Sequence, residues 1–178
     1  MRSITAIMGV LVMPWLVSGA VAAPIIWTGP ATTCTQPGSN PTLIANQDRL
    51  TDTVWITRAS SQGLFNAALE SSFGHNSSPA GTEWAYGSAD NWQSLAFTNW
   101  EDWFGGAGGG GPGSTINRPA VLHLVSDDIY LDIMFLSIGR GGGFSYTRST
   151  ASTVPEPSSL VVLGAAAMGL MGRVRRRR

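Results

Sequence analysis

Two groups of residues in this chain have the chemistry to act on a ligand, a trio of carboxylates and a cluster of tryptophans. Asp127, Asp128 and Asp132 lie close together in the chain. Adjacent aspartates in a loop, helped by a main-chain carbonyl, can hold calcium, a hard cation that takes roughly six to eight oxygen ligands. The spacing of an EF-hand loop is missing, however, and an Asp-Asp pair just ahead of a strand is an ordinary turn signal. A structural turn is therefore favoured over a calcium site, and the expectation is a domain without a bound cofactor. Paired carboxylates also hydrolyse glycosides when they stand roughly 5 to 9.5 Å apart. Acids scattered along a domain always contain pairs, so this reading has no support from spacing alone.

Trp84, Trp92, Trp100 and Trp103 fall within twenty residues of a chain that has seven tryptophans. Flat aromatic rings stack on sugar faces, and the neighbouring Asn91, Gln93, Asn99, Glu101 and Asp102 suit sugar hydroxyls. Trp92, Trp100 and Trp103 are accordingly the candidate glycan-binding residues. Filling a core is the stronger competing use, because tryptophan is highly buried on average.

Other reactive side chains offer less. His75 and His123 are the two histidines; His123 sits in the apolar run Val121, Leu122, Leu124, Val125, as a hydrogen-bonded, partly buried histidine would. A Ser-His-Asp triad lacks the Gly-x-Ser-x-Gly elbow that would signal it. Cys34 stands alone, which excludes an intrachain disulfide and leaves packing or bound ions to stabilise the fold. The run 105–113 contains seven glycines, but a phosphate-cradling loop needs a lysine and the chain has none. No catalytic motif emerges, and the expected role is non-enzymatic, with a secreted hydrolase as the least supported alternative.

The elements that must position these residues are mainly strands. Residues 54–57 alternate β-branched and aromatic side chains; 83–85 and 94–97 predict short strands, and 62–71 predicts a helix with Leu64, Phe65, Ala68 and Leu69 on one side. Residues 24–46 predict turns and at most short strands. The second half is clearer: a strand over 120–125, a turn at Asp127-Asp128, a strand over 129–138 apolar on both faces apart from Asp132, and a final strand over 144–150. A strand covered on both faces belongs in the middle of a sheet. The economical fold is a single antiparallel β-sandwich or jelly-roll-like domain over residues 23–153, flanked by an N-terminal signal helix and a C-terminal transmembrane helix.

Those flanks carry targeting information. Residues 1–22 have one positive charge at Arg2, an apolar run over 4–17 and the small residues Ala20, Val21 and Ala22, the pattern of a cleavable secretory signal. The domain behind it is acidic: five arginines face ten carboxylates, a net charge of −5 hidden by a formal zero for the whole chain. An acidic domain has no electrostatic footprint for DNA or RNA, so nucleic acid is excluded as a partner. At the other end, Pro155 and Pro157 flank Glu156 and keep that segment extended. Residues 158–171 are uncharged and apolar all round, somewhat short of the roughly 20 residues that span a bilayer core. Arg173, Arg175, Arg176, Arg177 and Arg178 then form a basic stop that stays on the cytoplasmic side.

This order of parts resembles the PEP-CTERM sorting domain of exported bacterial proteins. Val154, Pro155, Glu156 and Pro157 match its signature, and the five arginines match its basic end. The resemblance implies an exosortase as partner, cutting near Pro-Glu-Pro. Signal peptidase and a Sec-type translocon act before it. It further implies export across the inner membrane of a Gram-negative bacterium, a single-pass precursor, and a mature domain at the cell surface or outside, in a biofilm or matrix with exopolysaccharide as a further partner. The stretches around 118–135 and 144–150 are also similar to the ends of other PEP-CTERM proteins, without an activity attached. Truncation after Thr153 should turn an envelope-associated protein into a freely soluble one. Cell fractionation checks this, and an unchanged distribution would count against the sorting reading.

Overall fold

The computed structural model describes residues 23–38, 40–106 and 110–152. The expected signal helix over 1–22 and the expected transmembrane helix lie outside the described residues. So do Val154, Pro155, Glu156, Pro157, Arg173, Arg175, Arg176, Arg177 and Arg178. Among the described residues no helix is long and apolar enough to cross a membrane.

The chain is mainly β with antiparallel sheets. In order, its strands are β1 (Ile25–Trp27), β2 (Gly29–Gln36), β3 (Asp48–Arg49), β4 (Trp55–Arg58), β5 (Leu64–Asn66), β6 (Thr82–Tyr86), β7 (Ala120–Leu124), β8 (Ile129–Ile138) and β9 (Phe144–Thr150), with one short helix, α1 (Trp100–Trp103), between β6 and β7. The larger sheet runs β2-β9-β8-β7-β6 and the smaller one β3-β4-β5. The two share one hydrophobic core, to which the small sheet supplies Ile56 and Leu64, the turn before β4 Val54, and the large sheet Leu122, Leu131, Ile133 and Phe135.

β8 is the axis of the large sheet, as its pattern predicts. Ile129, Leu131, Ile133 and Phe135 alternate into the core, while Tyr130 on the opposite face is also buried. That second face is covered by the segment after β6: Ala89, Trp92, Leu95 and Phe97 pack there with Val121 and Tyr130. β1 pairs with the first half of β8 in parallel, Ile25 opposite Ile129, and β9 pairs antiparallel with the second half. This parallel pair departs from the all-antiparallel expectation.

Three further local expectations are corrected. The segment 62–71 is not a helix; it enters as β5 and continues as a turn. Gln62 adopts a left-handed φ of 77°. The fully buried Asn66 side chain accepts from the N–H groups of Trp55 and Ala68 and donates to the carbonyls of Thr53 and Ala80. These four bonds tie it to a neighbouring strand and loop, and outweigh the helical spacing of the leucines. Residues 94–97 form no strand, because a 3-10 run over Ala89–Ser94 precedes them and pairing is limited to a bridge between Thr98 and Trp84. Finally, 24–46 contains the eight-residue β2, a largely exposed edge strand whose pairing with β9 shows no apolar alternation of its own. Pro30 lies at its irregular start, a position an edge strand tolerates.

Polar contacts tie the sheets together: the buried Gln36 side chain of β2 donates to the Arg58 carbonyl of β4 and accepts from the Arg58 N–H and the Thr57 hydroxyl, and a charged pair adds to them. Arg148 of β9 forks onto Asp48 of β3, with Nε to Oδ2 at 2.6 Å and Nη2 to Oδ1 at 2.7 Å. The Tyr146 hydroxyl donates to the same carboxylate at 2.8 Å. Burial works against the Arg148 cation, but the hydrogen bonds and charge of Asp48 outweigh it and raise its pKa. Removing one partner of a buried pair strands the other charge, which typically costs about 3–5 kcal/mol. Asp48→Ala should therefore lower the urea midpoint strongly, and the double variant Asp48→Leu, Arg148→Met should lose less than Asp48→Ala alone. Equal losses would show that stranded charge is not the cause.

Candidate functional site

Trp100 and Trp103 do not form the expected sugar-stacking surface. α1 places them three residues apart, on one face, and its N-terminus is capped by Asn99, whose side chain accepts from the Asp102 N–H at 3.0 Å. That face turns inward. Trp100 is 0 % and Trp103 5 % exposed, and with Trp84 on the inner face of β6 they form a three-ring cluster with centroids 4.8 to 5.3 Å apart. Aromatic side chains of this size dominate core energetics, so covering them outweighs leaving them for a ligand. Trp92 alone of the three candidates stays half-exposed, stacked at 4.2 Å on Tyr130.

The three aspartates are drawn into separate contacts. Asp132 accepts from the Ala89 N–H at 2.7 Å and so holds the covering segment against the outer face of β8. Asp127 accepts from the Thr53 hydroxyl at 3.3 Å, linking the β7–β8 turn to the small sheet. Asp128 takes the left-handed φ of 49° that the turn requires and lies 3.3 Å from His123 Nε2. Among the described residues no group of three or more His, Cys, Asp or Glu is placed to hold a metal ion.

His123 lies on the outer face of β7, stacked on Tyr130 with centroids 4.2 Å apart and planes 3° from parallel. Its Nδ1 is 3.3 Å from Glu83. Burial, then the hydrogen bond and charge of Asp128, push the Tyr130 hydroxyl up to about 12. His75 is exposed and pairs with Glu101 at 2.9 Å, while the Asn76 N–H donates to the other oxygen of that carboxylate at 2.6 Å. The Asn76 bond, with a smaller contribution from His75, holds Glu101 below the usual carboxylate range. Cys34 is pushed up to about 11, mainly by burial and secondly by the charge of Asp48. Thiolate is the reactive form, so this residue is a poor nucleophile.

A groove of about 490 Å³ opens where β8 changes partner from β1 to β9, with Trp27, Gly87, Asp90, Asp132, Met134 and Arg148 among its lining. The local sequence shows no sign of it, because its walls come from five separated stretches. Asp90 and Asp132 supply acceptors there, and both residues are exposed.

The tail beyond this domain carries a match of its own. Residues 153–178 match the family described as the PEP-CTERM protein-sorting motif. The chain carries an exosortase sorting signal. No curated protein and no solved structure was found to match the chain. A PEP-CTERM motif implies an exported, membrane-anchored precursor that exosortase processes at the cell envelope. It covers the tail, so it speaks to the address of the β domain and not to the domain's chemistry. For that domain, Cys34 should react slowly with iodoacetamide at neutral pH in the native protein and rapidly once the protein is unfolded. Equally fast labelling in both states would show the thiol to be accessible and ionised.

Proposed function

We propose that this PEP-CTERM protein works at the cell surface or in the extracellular matrix, as a two-layer β domain with a structural or adhesive role and no catalysis. The observation that carries this reading is the combination of an exosortase sorting signal with a domain whose reactive side chains are engaged in packing. Trp84, Trp100 and Trp103 fill the core, Asp48 and Arg148 bridge the sheets, and His123 is stacked on Tyr130 beside Glu83. Cys34 is held as a thiol by burial.

A second reading, that the domain binds exopolysaccharide, is favoured by one feature of the outer face. The half-exposed Trp92 belongs to the same Ala89–Ser94 segment that contributes Asp90 to the groove containing Asp132. An aromatic ring two residues along the chain from a carboxylate acceptor of the groove suits a polyhydroxylated ligand. Co-sedimentation with the host's purified polysaccharide tests this. Wild-type protein and Trp103→Phe should be retained alike, and Trp92→Ala and Asp90→Ala should each be retained several-fold less. Absence of wild-type retention would remove the glycan reading and leave the structural one. Turnover of that polysaccharide by the wild-type protein would overturn the non-catalytic role.

A further inference from the structure

A second cavity, of about 220 Å³, lies away from the groove and is lined by Arg58, Gly63, Phe73, Trp100, Glu101 and Phe104 among others. Arg58 is 8 % exposed, and among the described residues it has no carboxylate partner. Main-chain carbonyls hold it instead: Nε donates to Gln62 at 2.8 Å, and Nη1 donates to Gly139 at 2.7 Å and to Gly143 at 3.2 Å. Those bonds fix the guanidinium plane and leave Nη2 without a hydrogen-bond acceptor among the described residues. A guanidinium is never deprotonated in a protein, so this largely buried side chain keeps a full positive charge, and Glu101, the carboxylate on the cavity lining, makes no ion pair with it among the described residues. The Arg58 charge is screened less in this setting than at an open surface, and cations so placed are ordinarily paired.

A second unpartnered donor lies on the same cavity. Trp100 is fully buried, and its indole Nε1–H has no hydrogen-bond partner. Gly63 packs closely against it, since a methyl group there would stand 3.0 Å from Trp100 Nε1 and 2.5 Å from Phe73 Cε2, so a glycine is what lets the cavity wall approach this donor. Phe73 and Phe104 add apolar wall. Glu101 brings a negative charge to the lining, but its two oxygens are engaged by His75 and by the Asn76 N–H.

We propose that this cavity binds a small carboxylate with a compact apolar body, its oxygens taking hydrogen bonds from Arg58 Nη2 and Trp100 Nε1. A carboxylate supplies the anion that Arg58 lacks and the acceptor that Trp100 lacks, and charge-assisted bonds of this kind are among the stronger ones. The aromatic walls take the apolar part of the ligand. This site is independent of the sorting signal and of the groove on the outer face.

The test is a titration of the isotope-labelled full-length chain in detergent, following the Trp100 indole N–H and the Gly63 amide by NMR. Benzoate and acetate are the probes, with benzamide as the neutral isostere and sodium chloride as the ionic-strength control. Both carboxylates should shift the two signals saturably, benzoate at lower concentration than acetate, and benzamide and chloride should not. Trp100→Phe keeps a ring in place and removes the donor; read through Gly63, it should weaken benzoate binding several-fold. Arg58→Lys should weaken it further, and if that variant does not fold, Trp100→Phe carries the test. Linear shifts without saturation, an equal response to benzamide, or unchanged affinity in Trp100→Phe would overturn the proposal.

Discussion

Buried polar contacts between the two sheets, with the carboxylate of Asp48 as the charged one, constrain their arrangement. That carboxylate sits on a strand of two residues and receives the Arg148 fork and the Tyr146 hydroxyl from a strand about a hundred residues later in the chain. The small sheet has strands of two to four residues, too short to be stable without a packed face. Its apolar residues find that face on the large sheet, and the Asp48 and Gln36 contacts fix where the two meet. The same buried negative charge helps keep the Cys34 thiol and the Tyr146 hydroxyl protonated, adding to the effect of burial. One carboxylate thus both joins the sheets and quiets the reactive groups around it.

The two largely buried arginines are held in different ways. Arg148 has its anion within the fold, whereas Arg58 is held by carbonyl dipoles and keeps its charge unneutralised. Burial acts against both cations, and Asp48 reverses its effect at Arg148 alone. In a domain with a net charge of −5 and no lysine, a buried arginine without a carboxylate is not explained by a shortage of acids. The aromatic residues divide in a similar manner. Trp84, Trp100 and Trp103 stabilise the core from within, while Trp92 closes the outer face over Tyr130 and keeps part of its ring at the surface.

Much of the second half of the domain was legible from local pattern. Strands β8 and β9 match the expected residues because a central strand records its covered faces in its own alternation, and Asp132 marks where that cover stops. The first half was less legible for equally physical reasons. β2 is an edge strand whose exposed threonines carry no periodic signal, and its existence depends on a partner more than a hundred residues away. The stretch after Gln62 has helical spacing, yet the buried Asn66 amide makes four bonds that only a strand and its neighbouring loops supply. Tryptophan density predicted aromatic clustering without saying which rings face water.

The sequence by itself determined the address, the charge class and the central strands. A sorting signal is read by its partner as a linear string, so Val154, Pro155, Glu156, Pro157 and the terminal arginines are visible without a fold, and the match over 153–178 bears this out. Only the tertiary structure decided that Trp100 and Trp103 are core, that β1 runs parallel to β8, and that Asp48 meets Arg148. It also brought Arg58 and Trp100 to one cavity. These outcomes rest on contacts between distant parts of the chain, where burial and charge compensation are settled by geometry. A local window of residues records propensity and periodicity, but not which far-off side chain will complete a pair.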